Sequence, residues 1–294
     1  MEIKFIRTEE CPACGHKEGR KRLYPLKDFS VYECSCGHLF IDPQLDPTSM
    51  MWIYQSSEAL TRINPACKFY YEYETLDPKS KTYQEYLGAL KGMEQFTSGR
   101  TLLDVGCGNA NFLKLARLQG WETVGVDPSP ENIRNIQQQG IEAHCSGFLE
   151  FKPSRKFDCI ALWDLIEHPG IPALFIDKVK NLLSEDGVLF IGCPLYPNLL
   201  SVLADCFYKM SAGVIQGPLH KMYMLEHTSY FSIGSLEGLL QRGKFRTLKY
   251  WKTETDLNRY HFPWPVRLAL QGSFALARIL SLQNRMNLFA RPAE

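Results

Sequence analysis

Three groups of residues in this 294-residue chain could do chemistry by their type and spacing. In the run T-L-L-D-V-G-C-G-N-A-N-F, Asp104 stands directly before a turn built on Gly106 and Gly108, and Asp127 ends V-G-V-D, 21 residues past Gly106. Two such glycines let the backbone turn sharply and approach a ligand, and an acid at the end of the following strand can bind ribose hydroxyls. Cys11 and Cys14 in C-P-A-C-G, then Cys34 and Cys36 in C-S-C-G-H, form two thiolate pairs separated by a 19-residue excursion. That arrangement suits tetrahedral zinc, with His38 as the alternative to Cys36 because only one residue separates the second pair. Four protein ligands leave no open position, so such a zinc is structural. The third group is His168 in D-L-I-E-H-P, His220 in G-P-L-H and His227 in E-H-T-S-Y-F, with Glu226 and Tyr223 beside the last. Imidazoles near neutrality suit proton transfer.

These groups need a frame. Thr101 to Val105 reads as an apolar strand, the glycines as a turn, the next residues as a helix and Thr123 to Val126 as a second strand, half of a nucleotide-binding βαβ unit. Pro130 to Gln139 reads as a helix started by Pro130 and stopped by Gly140, with a strand after it at Ile141 to His144. Phe157 to Trp163 is a continuous apolar run, as expected of a parallel strand buried on both faces. A helix over 171–183, a strand at Val188 to Gly192, a helix at Ile233 to Arg242 and a strand at Phe245 to Tyr250 follow. N-L-F-A-R-P reads as an antiparallel seventh strand. The fold expected is α/β, a Rossmann-like doubly wound seven-stranded sheet with a small N-terminal zinc-binding module. Ligands of open sheets bind at strand carboxyl ends, which places Trp163, Asp164, Glu167 and His168 at the site. Residues 1–45 are the zinc-binding module. Residues 46–98 are a helical lid rich in tyrosine (Tyr54, Tyr70, Tyr71, Tyr73, Tyr83, Tyr86), read mainly as amphipathic core. Residues 99–294 are the main domain, with a lid insertion at about 194–231.

Two departures from G-x-G-x-x-G bear on the ligand. Asn111 replaces the third glycine, and the carboxylate of Asp104 would repel a pyrophosphate docked on the helix N-terminus but attract a cation. S-adenosylmethionine has a ribose, no phosphate, a sulfonium and an ammonium. The run D-V-G-C-G-N-A-N-F with V-G-V-D-P-S resembles the class I S-adenosylmethionine-dependent methyltransferases. The resemblance implies cofactor contacts at Asp104, Gly106, Cys107, Gly108, Asn109, Asp127 and Pro128, with Trp163 and Asp164 at the next strand end. Where the resembling enzymes hold adenine, this chain has Phe148 in S-G-F-L-E-F, either covering the adenine face or filling core. A leader ending C-G-H-x-F-x-D-P is matched by Cys36, Gly37, His38, Phe40, Asp42 and Pro43. An E-H-x-x-x-F-S segment bordering the substrate is matched by Glu226, His227, Phe231 and Ser232. Some sugar C-methyltransferases share both segments but carry a Tyr where this chain has Met224, and a further C-terminal domain.

A formal charge of +1, with 45% hydrophobic and 22% charged residues, describes a globular protein without a bulk basic field for nucleic acid. The N-terminus has no apolar h-region and no stretch reaches 18 uncharged apolar residues, so a cytoplasmic location without a transmembrane segment is expected. In such a reducing compartment Cys67, Cys107, Cys145, Cys159, Cys193 and Cys206 are expected as buried packing. The stretch W-P-V-R-L-A-L-Q-G-S-F-A-L-A-R-I-L, with Arg267 and Arg278, could lie on a membrane, though packing against the protein is favoured. The function expected is methyl transfer from S-adenosylmethionine to a small-molecule acceptor at oxygen or carbon. His227 oriented by Glu226, or His168, is the candidate base, with His220 and Tyr223 nearby in sequence. The alternatives are an RNA methyltransferase holding RNA through Lys17, Arg20, Lys21 and Arg22, and a non-catalytic S-adenosylmethionine-binding protein.

Overall fold

The structure, a computed structural model, describes residues 3–64, 71, 77–260 and 262–293. Cys67, Tyr70 and Tyr73 lie outside the described residues. The leader holds strands β1 (Phe5–Ile6), β2 (Arg20–Pro25), β3 (Ser30–Cys34), β4 (Leu39–Asp42) and β5 (Gln44–Leu45), followed by helices α1 (Pro47–Ile53), α2 (Ser57–Ile63) and α3 (Lys81–Phe96). Strands and helices then alternate, except between β8 and β9, through β6 (Thr101–Val105), α4 (Asn111–Leu118), β7 (Glu122–Asp127), α5 (Pro130–Gln138), β8 (Glu142–Cys145), β9 (Phe157–Trp163), α6 (Pro172–Leu182) and β10 (Leu183–Pro194). The rest comprises α7 (Leu199–Met210), α8 (Gly217–Met222), β11 (Ser229–Tyr230), α9 (Ile233–Arg242), β12 (Phe245–Thr253), a 3-10 turn (Leu257–Arg259), α10 (Trp264–Ile279) and β13 (Arg285–Pro292).

The main sheet has the order β12-β13-β10-β9-β6-β7-β8. Strands β10, β9, β6, β7 and β8 run parallel, and β13 lies antiparallel between β10 and β12. The chain steps outward from β6 to β8 and restarts at β9 on the other side of β6. The topological switch, where open sheets bind ligands, therefore falls between β6 and β9. Residue type explains position: F-D-C-I-A-L-W is buried on both faces in the centre, whereas β8 at the edge exposes Glu142, His144 and Cys145. Ser129 caps α5 through the N–H of Asn132, Pro130 sits in its first turn, and Gly140, at φ +68°, lies just beyond its end.

The leader is joined to the main body by a strand the sequence did not announce. Strand β11, from the segment after β10, pairs antiparallel with β4 and completes a sheet of order β11-β4-β3-β2. Tyr24 donates to Asp205 on α7 at 2.8 Å, and Arg242 on α9 donates to the Ala13 carbonyl. Cys11, Ala13, Cys34 and Phe40 belong to the same apolar core as Val105, Leu162 and Leu236.

Two glycines show how tightly different places are packed. A Cβ on Gly125 of β7 would lie 2.7 Å from Cys107 Sγ and 2.8 Å from Leu113 Cδ1, whereas one on Gly238 of α9 would meet nothing within 4 Å. Gly125→Val should therefore cost about 1–3 kcal/mol in urea unfolding, the usual penalty of overpacking. Gly238→Ala should gain up to about 1 kcal/mol in the same measurement, from helix propensity alone.

Candidate active site

Gly106 and Gly108 take φ of +71° and +50°, the left-handed region that glycine enters without penalty, and Ala110 follows at +60° as the uncapped start of α4. The N–H of Gly108 donates to Asp127 Oδ2 at 2.9 Å, and that of Ser129 to Asp127 Oδ1 at 2.9 Å. The acid that ends β7 thus braces the glycine turn against the start of α5, and it is fully buried. Asn109 Oδ1 accepts from the N–H of Asn111 at 3.2 Å, and the Pro128 carbonyl accepts from the Cys145 thiol. Cys107 lies against Gly125, its thiol pushed well up by burial and then by the charges of Asp127 and Asp104.

Asp104 is the fourth residue of β6, the strand expected over Thr101 to Val105, and it is buried within the sheet. Its Oδ1 has no hydrogen-bond partner among the described residues. Burial first, and the charge of Asp127 second, raise its carboxyl well above the ordinary range. An unpartnered buried acid next to a glycine turn suits a cationic ligand and disfavours a phosphate. On these grounds the residues present fit S-adenosylmethionine.

Beyond β9 the chain turns at Asp164, φ +47°, whose N–H donates to the Gly192 carbonyl at 2.8 Å. Its carboxylate pairs with Arg285 Nη2 at 2.6 Å and Arg259 Nη1 at 3.1 Å. Burial opposes ionisation there, but the two guanidinium groups prevail and hold Asp164 well below the usual carboxylate range. It is a half-buried counter-ion to the two guanidinium groups. Trp163 packs between Phe190 and Tyr86, with ring centroids 4.5 and 4.8 Å away, and its Nε1 is buried without a partner among the described residues.

Three residues further on, Glu167 and His168 meet His227. Their ligand atoms lie within 4.8 Å of one another, a spacing suited to passing a proton or holding a small cation. Thr228 fastens the two segments: its N–H donates to the Glu167 carbonyl at 2.9 Å, and its hydroxyl lies against the carbonyls of Glu167, His168 and Pro169. His168 Nδ1 is 2.8 Å from the Glu226 carbonyl and 3.0 Å from the Tyr54 hydroxyl. A carbonyl can only accept, so Nδ1 carries the proton and Nε2 the lone pair. Both oxygens of Glu167 and Nδ1 of His227 are buried without partners among the described residues. Burial, then the charge of Asp164, pushes Glu167 up to about 8; burial, then His168, lowers His227 well below the ordinary imidazole value.

Other expectations are corrected by placement. His220 is exposed on α8 and does not join this cluster. Tyr223 is packed among Tyr24, Tyr196 and Tyr230. The carboxylate of Glu226 accepts from Asn64, so it does not orient His227; its carbonyl instead positions His168. Phe148 is buried against Phe175 with the Lys178 ammonium over its ring, and fills core. Cys145 and Cys206 are exposed, while Cys107, Cys159 and Cys193 are buried as expected. Tyr54, Thr228, Arg259 and Arg285 were missed. Only the tyrosine richness of residues 46–98 hinted at Tyr54.

In the leader, Cys11, Cys14, Cys34 and Cys36 gather with all four sulfurs within 4.8 Å of one another, Cys11 and Cys36 at 3.8 Å and Cys14 and Cys34 at 3.5 Å. Ligands about 2.3 Å from a tetrahedral zinc are separated by about 3.8 Å. His38 is excluded from the set. It is buried with Nε2 3.2 Å from Ser229 Oγ and Nδ1 3.5 Å from Ser235 Oγ, and burial lowers it to about 3.

The strand order and glycine turn define an α/β protein of the doubly wound, nucleotide-binding class. A family model described as "Methyltransferase domain" matches residues 80–250, and the chain belongs to that family. It is 25% identical over 204 residues to the mitochondrial ubiquinone biosynthesis O-methyltransferase of Bos taurus, a match covering 60% of this chain and 55% of that protein. To the ubiquinone biosynthesis O-methyltransferase of Xylella fastidiosa it is 31% identical over 104 residues, 32% of this chain and 42% of the other. The chain spans about half the length of the curated relatives it matches. Among solved structures it is similar to the Burkholderia thailandensis 1,6-didemethyltoxoflavin-N1-methyltransferase with bound 1,6-didemethyltoxoflavin and S-adenosylhomocysteine (TM-score 0.55, 13% identity, 93% of this chain and 100% of that one). A second is the magnesium protoporphyrin IX methyltransferase of Synechocystis with bound S-adenosylhomocysteine (TM-score 0.54, 14% identity, 84% and 99%). These likenesses establish the fold.

The raised carboxyl of Glu167 sets a pH dependence. In the unfolded chain it ionises near 4.5 and in the folded protein near 8, so its contribution to stability is complete below 4.5 and is lost as pH rises to about 8. Calorimetric melting temperatures should fall across that window, and Glu167→Gln should flatten the fall.

Proposed function

We propose that this chain transfers a methyl group from S-adenosylmethionine to a hydroxyl of a small molecule. The observation that carries the reading is the convergence, at the switch between β6 and β9, of an unpartnered buried acid beside a glycine turn with a Glu167–His168–His227 cluster. Asp104, Gly106, Gly108 and Asp127 would hold the donor, which when bound supplies an electrophilic methyl on a sulfonium. The chain's own work is positional and acid–base. His227, neutral because burial disfavours its charged form, offers an unpartnered Nδ1 to the proton of the acceptor hydroxyl. The positive charge that His227 then carries would favour the ionised form of Glu167 beside it, and Tyr54 with the Glu226 carbonyl keeps His168 in one tautomer next to them. The similar ubiquinone biosynthesis enzymes are named O-methyltransferases, which supports oxygen over carbon as the acceptor. Two of the leader's four clustered cations turn toward the leader itself, Lys17 to Glu9 at 3.8 Å and Arg20 to the Thr8 carbonyl, which speaks against an RNA-holding role.

The four-cysteine cluster is read as a structural zinc site, and the leader with the 194–231 insertion as one unit that closes over the acceptor. Elemental analysis should find one zinc per chain, and Cys34→Ser should lose it together with several degrees of thermal stability.

Donor binding should release a proton, because a cation beside Asp104 favours its ionised form. Titration calorimetry in buffers of different ionisation enthalpy reads this directly. Asp104→Asn should abolish the release and weaken affinity by about 10- to 100-fold, the worth of a charge-assisted contact. With an accepted phenolic or enolic substrate, His227→Ala should lower kcat by about 10²- to 10⁴-fold while leaving donor affinity unchanged. Equal losses in both would assign His227 a structural part and refute the proton-transfer role.

A further inference from the structure

Helix α10 presents its apolar surface outward. Only Phe274 and Ala277 are buried on it, and these lie beside Leu199 and Leu200 at the start of α7. Trp264 is 77% and Ile279 80% exposed, and helical spacing places both on one face with Leu268, which is also exposed. Leu276 and Leu280 continue that surface. A helix that merely packs on its own protein turns such residues inward, so the packing expected for this stretch is corrected. The neighbouring helix extends the feature. Leu203, Phe207 and Met210 recur at i, i+4 and i+7 on α7 and are exposed, Met210 to 85%, and Val214 beyond it is exposed to 82%.

The two chain segments that carry this surface hold charges of one sign. Residues 206–225 and 257–284 contain no Asp or Glu. Apart from Arg259, which turns inward to Asp164, their Lys and Arg residues are Lys209, Lys221, Arg267 and Arg278. Two acids just outside these segments are engaged, Asp205 with Lys209 at 2.7 Å and Glu254 with Arg278 at 2.9 Å, and Glu33 of β3 also acts on Lys209, which leaves Lys221 and Arg267 as the cations without an ion pair among the described residues. A second copy of the chain would bring the same cations against themselves. An anionic surface would complement them, and an exposed tryptophan among aliphatics with flanking basic residues is the composition of an interfacial helix. None of the described helices is long and apolar enough to cross a membrane, so the contact is with its surface.

We infer that α10 and the adjoining end of α7 seat this chain on an anionic bilayer, apolar residues at the headgroup boundary and Lys221 and Arg267 at the level of the phosphates. The test is co-sedimentation of the full chain with phosphatidylcholine vesicles with and without phosphatidylglycerol, a readout independent of methyl transfer. The chain should pellet with the anionic vesicles, less so as salt rises, and hardly with neutral ones. Leu268→Glu with Ile279→Glu should reduce binding more than tenfold, with unchanged S-adenosylmethionine affinity confirming the fold. Lys221→Glu with Arg267→Glu leaves the apolar face intact and should weaken binding to anionic vesicles by about tenfold or more. Failure to pellet with anionic vesicles, or equal retention by neutral ones, overturns the inference. So does a dimer in sedimentation equilibrium that Leu268→Glu with Ile279→Glu dissolves while vesicle binding is absent, since the face would then join two copies.

Discussion

Asp164 sits half-buried just past the end of β9, between Arg259 and Arg285. Losing one guanidinium would leave the cluster's charges unbalanced, at less than the roughly 3–5 kcal/mol of a fully buried pair because water still reaches Asp164. The three residues come from three distant places: the end of a central strand, a 3-10 turn and the first residue of β13. Their pairing therefore ties the C-terminal segment to the turn that begins the Glu167–His168 loop. The left-handed backbone at Asp164 is held by the same contacts and by its bond to Gly192. The charge of Asp164 also reaches Glu167, where it adds to burial in keeping that carboxyl protonated.

From that centre the site divides its acids by environment. Asp164, with two cations, is held ionised; Asp104 and Glu167, buried without partners, are held neutral. Carboxyls whose environments push them apart in this way can take different parts in one reaction. Asp104 is set to respond to a positive charge, and Glu167 to a proton. His227 belongs with the second because burial keeps its ring uncharged, with a nitrogen lone pair able to take a proton.

A second line of support runs inward from the leader. The cysteine cluster includes the last residue of β3, and β3 pairs with β4. Strand β4 pairs with β11, and the N–H of Ile41 donates to the Thr228 carbonyl at 3.2 Å. Thr228 in turn bonds the Glu167 carbonyl. His38, buried on Ser229 and Ser235, pins the same junction from the side. A metal-type cluster on the periphery is thus linked through a few backbone bonds to the segment that carries His227, which gives the leader a reason to exist beyond its own folding.

What could be read from the chain alone was what local chemistry dictates. The strand at Phe157–Trp163 and the helix at Ile233–Arg242 match their predicted ranges because apolar runs and caps act within a few residues. The glycine turn, Asp127 and the four cysteines were legible because chain neighbours supply their geometry. Pairings between distant segments were not. Nothing in M-Y-M-L-E-H-T-S-Y-F says that two of its residues will be a strand on β4, that Glu226 will bind Asn64, or that Thr228 will hold the Glu167 loop. Nor does the sequence mark Arg259 and Arg285 among the other arginines. Burial decided the rest: the same Asp104 that reads as an open carboxylate becomes an unpartnered neutral acid once β6 lies inside the sheet. The aliphatics of α10, which read as core, face outward because the tertiary structure leaves them only a narrow strip to pack on.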